Sequence, residues 1–428
     1  MLISFQLVIF DSFAKEVEPI IYVRNVIYVE TEQAANQLID ESQVINDITI
    51  VKELPTDIKS IFSTRITSTD LTNDFPPPDL NLLKYFGKGL NKKQADKVQL
   101  YKAAIVVDFA FPLSLRSKGL IIAYENAYDF AKNSDGFIWD SETRELFTPE
   151  VWKKKRIDAW TDQIPIINSQ IVIHAYQAEN GVRAITLGMA KFGLPDIVVE
   201  NLAWSLNSSM SDLMILVAQS MVEGLQPEGS KLTIEIEKLK DSSYKTNLIS
   251  TLNENTKRNL IIFFKSGEWE EGDPENSLIQ LLFNDFEGST DKEKQVKLLS
   301  SIFGWKDDIS YVEHNNQILE ASTNAKKLLP NLKKKFISGF APGEFLLLKA
   351  PFETPDGTNE WMWVEVMSWK GDIIHGLLKN EPYNVPNLKA GTQVIVNQGD
   401  IFDYIHEFSD GTREGNKTGD LIRKYQSN

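Results

Sequence analysis

The sequence predicts an α+β protein. It reads as a mixed α/β N-terminal domain over residues 1–226, a mixed, largely helical middle region over 227–324, and a small antiparallel β-sheet or barrel-like domain over 325–428. Three observations lead there. A chain of 428 residues is too long for one ordinary core and suits two to four domains of roughly 150 residues each. Up to the Pro-Glu-Gly-Ser stretch at 227–230, β-branched runs alternate with amphipathic ones. After residue 345, four short apolar runs are separated by turn residues, as in a small sheet.

Residues 20–29 are β-branched and read as a strand. In 31–42, Ala34, Leu38 and Ile39 share one helical face behind Thr31 as N-cap. Residues 47–54 predict a second strand, 67–80 a polar, Pro-rich loop, 103–111 a buried strand and 114–132 a helix. Residues 137–152 read as strand, turn and strand. Thr148-Pro149-Glu150 then opens a helix, because the N–H that proline lacks has no partner at the first helical position. Asn180-Gly181 marks the turn of a hairpin over 169–189, and 208–225 is a helix with Met and Leu facing the core. Beyond 230 a strand is followed by helices, one of them over 289–304 behind Thr290, and 268–277 reads as an exposed acidic loop. Pro330 interrupts a helix start. Strands then span 345–352, 360–369, 372–378 and 392–397.

Composition narrows the function classes. With 42% hydrophobic and 25% charged residues the chain is of the globular class. No apolar run reaches the ~18 residues of a membrane span. The absence of cysteine excludes disulfides, thiolate zinc sites, Cys-ligated clusters and cysteine nucleophiles. Residues 325–428 carry 13 basic and 13 acidic side chains, so the net charge of −15 lies wholly before them. An acidic body disfavours nucleic acid and suits a basic protein partner. At the N-terminus, LISFQLVIF allows two readings. Ile3, Phe5, Leu7 and Ile9 alternate with Ser4 and Gln6 as in a strand, which gives a cytoplasmic protein by default. Ser12 and Ala14 alternatively suit a signal peptide cleaved after Ala14, which gives an exported one.

WMWVEV, the run G-D-x-I-x-G-x-L-x-N-E-P from Gly371 to Pro382, NLKAGTQV and GDIFDY occur in that order. Residues 329–421 thereby resemble the bacterial family named domain of unknown function 2314. GFIWDSETRELFTPEVW, LGMAKFGLPDIVVE, EEGDPENSLIQLLF and YVEHNNQILEAS resemble the long architecture in which a larger N-terminal region precedes that domain. The resemblance implies no activity, no cofactor and no catalytic residue.

Candidate sites come from the residues themselves. In EWMWVEVMSW the pleat puts Trp361, Trp363, Glu365, Met367 and Trp369 on one face and Met362, Val364, Val366 and Ser368 on the other, core-like face. Either another layer covers the Trp face, or Trp361, Trp363, Glu365 and Trp369 form an interaction site. Asn380 and Glu381 suit a turn, or present an amide and a carboxylate to a ligand. The histidines are His174, His314, His375 and His406, and Asp400, Asp403, Glu407 and Asp410 surround the last. No metal motif, nucleophile elbow, phosphate loop or dinucleotide fingerprint is present. The expected function is a non-catalytic binding or interaction protein. The alternatives are a hydrolase using Glu365, Asp372, His375 or the Asp400–Asp410 cluster, and an exported envelope protein.

Overall fold

A computed structural model describes residues 18–41, 48–178, 181–202, 206–252, 256, 258–303, 316–380 and 382–426. Residues 1–17, with both readings of the N-terminus, and Asn180, His314 and Glu381 lie outside them. The chain begins with β1 (Ile20–Val29), α1 (Glu32–Glu41), β2 (Thr49–Ile50), β3 (Phe62–Ser68), α2 (Leu80–Phe86), β4 (Gly87–Lys88) and α3 (Lys92–Val98). It continues with β5 (Ala103–Pro112), α4 (Arg116–Ser134), β6 (Phe137–Asp140), β7 (Glu145–Phe147), α5 (Pro149–Trp152), β8 (Trp160–Thr161) and β9 (Ile164–Pro165). Next come β10 (Val172–Ala178), β11 (Gly181–Leu187), β12 (Asp196–Leu202), α6 (Asn207–Val222), β13 (Lys231–Glu235), α7 (Ser242–Thr251), β14 (Asn259–Ser266), β15 (Leu278–Leu282) and α8 (Asp291–Phe303). The last stretch holds α9 (Asn316–Ser338), β16 (Phe345–Glu353), β17 (Asn359–Lys370), β18 (Ile373–Leu378), β19 (Gln393–Asn397), β20 (Asp403–Glu407), β21 (Arg413–Gly415) and α10 (Lys417–Gln426). The fold is α+β, and no sheet closes into a barrel. No helix of the described residues is long and apolar enough to cross a membrane.

The chain divides into two compact units. The first takes described residues within Met1–Pro77, Lys97–Leu202 and Leu206–Trp305; the second takes those within Pro78–Asp96 and Lys306–Asn428. In the first unit one sheet runs β2-β3-β5-β1-β6-β7. Its central strand β5 is buried throughout except at Asp108, which pairs bidentately with Arg24 on β1 at 2.6 and 2.9 Å. The Ala34 N–H donates to Thr31 Oγ1 at 3.2 Å, so the expected cap forms. Thr148 likewise accepts from Val151 N–H ahead of Pro149. Strand β2 holds only two of the eight residues expected in 47–54. Strand β3 escaped the sequence reading because it buries Ser63, Thr64 and Ser68 rather than an apolar alternation.

A second sheet in this unit runs β10-β11-β12-β15-β14-β13, with β12 and β15 parallel and the other pairs antiparallel. The middle region thus holds α7 and α8 together with the three strands that complete this sheet.

The second unit is built on an open antiparallel sheet, β19-β18-β17-β16-β20-β21. Helix α9 lays Ala325, Leu329 and Leu332 on Leu346, Leu348, Val364 and Ile374. It runs unbroken through Pro330, where an interruption was expected. An interior proline costs about 3 kcal/mol, and burial returns ~1.5–3 kcal/mol for each large apolar side chain. Leu329 and Leu332 flank the proline and outweigh it.

Candidate functional site

Strand β17 does not keep a single pleat. Val366 stands opposite Gly376 and Ser368 opposite His375, so Met367 is an extra residue in the ladder. Such a bulge moves every later side chain to the other face. Met362, Val364 and Val366 face the core before it, and Trp369 faces the core after it, only 4% exposed. The expected shared face is therefore corrected: Trp369 leaves it and donates its indole N–H to Gln398 Oε1 at 3.2 Å. Trp361 is half-buried against Phe402, with ring centroids 4.6 Å apart. Trp363 is half-buried, and Lys349 Nζ lies 5.7 Å from its ring centroid. Asn380 accepts the Trp363 N–H on Oδ1 at 2.5 Å, which ties the end of β18 to β17. Glu360, overlooked in the sequence, accepts the N–H groups of Tyr383 and Asn384 at 2.9 Å each and holds the following loop.

Glu365 has a different setting. It lines a cavity of about 390 Å³ within the second unit, between α2, the end of α9, the loop after it and the β17 bulge. The walls include Leu80, Phe336, Phe340, Pro342, Leu346 and Val366. Asp79 caps α2 by accepting the N–H groups of Asn81 and Leu82 at 2.7 and 2.9 Å. Gly343 fastens its other end, donating to Lys84 O at 2.8 Å. A Cβ on Gly343, at φ +77°, would stand 2.4 Å from Gly87 O, so only glycine permits this approach. The Glu365 side chain is 6% exposed. Its Oε2 accepts from Lys379 Nζ at 3.2 Å. Its Oε1 lies 3.7 Å from Lys84 Nζ and has no hydrogen-bond donor among the described residues.

His406 and three of the acids near it, Asp403, Glu407 and Asp410, have bonding roles. His406 is fully buried, its Nε2 2.6 Å from Glu344 and its Nδ1 3.2 Å from Glu414, with Phe340 stacked on the ring. Burial alone would raise the Glu344 pKa; the bonds from His406 and the Ala341 N–H overcome this and hold it below the usual range. Asp403 accepts the Thr418 N–H and hydroxyl at the start of α10, Asp410 accepts both from Thr412, and Glu407 pairs with Arg413. Asp372, His375 and Asp400 are exposed, and His174 lies in β10.

The first unit holds a buried charge cluster that sequence reasoning did not find. Asp140 Oδ2 accepts from Arg156 at 3.0 Å and from Lys191 at 2.8 Å, and Oδ1 accepts the N–H groups of Glu142 and Thr143. Arg156 also donates to Thr143 Oγ1 and Glu145 Oε2, both at 3.1 Å, and to Ser169 O. Its guanidinium lies over Phe147. Arg183 pairs with Asp273 at 2.6 Å, and Asn276 donates to Asp196 at 2.7 Å, so the expected exposed loop 268–277 is anchored by buried Asp273. Residues 136–152, 187–200 and 270–283, quoted above as motifs, thus meet through polar contacts. Buried ions at this density are strongly destabilising when one partner is removed.

Glu142 reports on this cluster. Burial pushes its pKa up to about 7, against the pull of Lys191. A carboxyl whose native pKa is raised favours folding most below its unfolded pKa, and that advantage declines as pH rises to the native value. Between pH 4.5 and about 7 the protein should lose roughly 2–3 kcal/mol of stability from this group. Asp196, pushed up to about 6 by burial, acts in the same direction. Urea unfolding of Glu142→Gln at pH 5 and pH 8 checks this: the variant should show a smaller difference than the wild type. An equal difference would remove Glu142 from the account.

No curated protein and no solved structure matches the chain. No family match covers the larger N-terminal region. Residues 315–428, which carry α9 and the whole of the second unit's sheet, match the model of the family described as "Uncharacterized protein conserved in bacteria (DUF2314)".

Proposed function

We propose that the second unit is a non-catalytic binding module that takes up a small molecule in the cavity around Glu365. One observation carries the reading: the Glu365 carboxylate, on a side chain 6% exposed and held between Lys84 and Lys379, is among the residues lining a cavity whose other walls are mostly apolar. The volume of about 390 Å³ falls within the span of small-molecule sites. The net acidity of the chain lies before residue 325, so charge does not direct a basic protein partner to this unit.

Titration of the full chain with 1-anilinonaphthalene-8-sulfonate tests the reading. Its fluorescence should rise saturably with one site per chain while near-ultraviolet dichroism stays constant. Met367 lines the cavity and is 44% exposed, so Met367→Trp should fill the space without disturbing the core. That variant should weaken dye binding about tenfold, the equivalent of ~1.4 kcal/mol. A rise that never saturates, or equal affinity in the variant, would sink the proposal.

A further inference from the structure

Away from the Glu365 cavity, we infer a second binding site in the same unit: a groove between α9 and the strands β20 and β21 that takes a small aliphatic zwitterion of the α-amino acid type. The groove has a volume of about 530 Å³, within the span of small-molecule sites. Helix spacing brings Leu328, Leu332 and Lys335 to it at successive turns of α9, with Lys334 beside them. Tyr404 of β20 and Glu414 of β21 line it from the sheet.

The polar groups of the groove are set out but not used on one another. Lys334 and Lys335 are exposed and form no ion pair among the described residues; Lys335 lies over the Phe408 ring, 5.7 Å from its centroid. The Glu414 side chain is 43% exposed, with Oε1 3.2 Å from His406 Nδ1 and no other hydrogen bond among the described residues. Glu344 lies on the other nitrogen of His406 and lines the Glu365 cavity instead. Two ammonium groups and one carboxylate thus share the groove without meeting. Tyr404 is only 7% exposed, with its ring built into the core, and its hydroxyl has no hydrogen bond among the described residues. Burial, and then the carboxylates of Glu414 and Asp403, raise its pKa, so the hydroxyl stays protonated and is a donor.

These charges select the ligand. A simple anion would satisfy the lysines and Tyr404 but stand against Glu414. A simple cation would satisfy Glu414 but stand against two lysines. A zwitterion answers both: its carboxylate takes the lysines and the Tyr404 hydroxyl, and its ammonium takes Glu414. An aliphatic side chain then covers Leu328, which is 44% exposed.

The test uses the full chain at pH 7 with ¹³C-labelled tyrosine rings and reads the Tyr404 resonance, assigned with Tyr404→Phe. The probes are norleucine, hexanoate, which is the same molecule without its ammonium, and pentylamine, which lacks the carboxylate. Norleucine should shift Tyr404 saturably, and each of the other two should bind about fivefold more weakly, the modest factor that solvent-exposed charges allow. Lys334→Gln, an exposed change, should weaken norleucine and hexanoate alike, about threefold, and should not weaken pentylamine. In Glu414→Gln norleucine and hexanoate should come within about twofold of each other; the wild-type comparison stands even if that variant fails to fold. Equal affinity of norleucine and hexanoate in the wild type would overturn the contact with Glu414, and equal affinity of norleucine and pentylamine would overturn the role of the lysines. No saturable Tyr404 shift with any probe would overturn the site. Norleucine should also leave dye binding at the Glu365 cavity unchanged, so the two readings fail separately. Displacement of the dye by norleucine without a Tyr404 shift would put the zwitterion in the other cavity and overturn this one.

Discussion

Replacing Asp140 by Asn is expected to cost about 3–5 kcal/mol, a large share of the ~5–15 kcal/mol that holds a domain folded. The side chain keeps its size but loses the charge that two fully buried cations share. Lys191 and Arg156 are 0% and 1% exposed, so water cannot take its place. Burial alone would raise the Asp140 pKa, but Lys191 and Arg156 reverse this and hold its carboxyl well below the usual range. The sign follows: its contribution is complete above the unfolded pKa near ~4 and is lost only as pH falls toward the depressed native value. Asp108→Asn is the internal comparison. Its bidentate bond to Arg24 is shorter, but the two side chains are 23% and 49% exposed, and such pairs are worth about 0–1 kcal/mol. Urea unfolding of both variants at pH 7 measures the contrast. Similar losses would mean that the buried carboxylate does not hold the cluster.

Gly376→Ala is expected to cost about 3 kcal/mol, at the upper end for overpacking. A Cβ there would stand 2.3 Å from the Glu365 carbonyl oxygen and 2.4 Å from Val364 Cγ1. Neither neighbour can yield without parting β17 from β18 beside the bulge. Gly371 in the same motif is glycine for another reason. Its φ is +55° and a Cβ would meet nothing within 4 Å, so Gly371→Ala should cost only ~1–2 kcal/mol of backbone strain. Thermal unfolding of the full chain, followed by tryptophan fluorescence, ranks the two. A larger loss at Gly371 would refute the close approach of the strands. Gly376→Ala should also weaken dye binding, because the strand it displaces carries Glu365.

These two glycines show how far the sequence could be read. The strands, the turn at Gly371 and the caps at Thr31, Thr148 and Thr290 are local events, written in neighbouring residues. The bulge is not local. It depends on Gly376 letting β18 approach β17, and it reverses the parity on which the facing of Trp369 was reckoned. Glu365 was legible as a polar residue among tryptophans, but its lysine partners were not, since Lys84 lies far away in sequence and Lys379 follows a strand. The cluster around Asp140 was hidden for a similar reason. Asp140, Arg156 and Lys191 each look like ordinary surface charges in their own segments, and only packing brings them together. Pro330 shows the converse, a clear local signal overruled by the sheet beneath α9.

The second unit is assembled from pieces made far apart in translation. Residues 78–96 belong to it, but the sheet they serve is not complete until β21 has been made. At ~5–20 residues per second, that leaves α2 waiting on the order of tens of seconds for its partners. During that interval Leu83 and Phe86 have no finished sheet to cover them, and the newborn chain carries an apolar helix that a chaperone would be able to hold. The two glycines that later meet, Gly87 and Gly343, are thus a late lock, one that can close only after the more than 250 residues between them have been made.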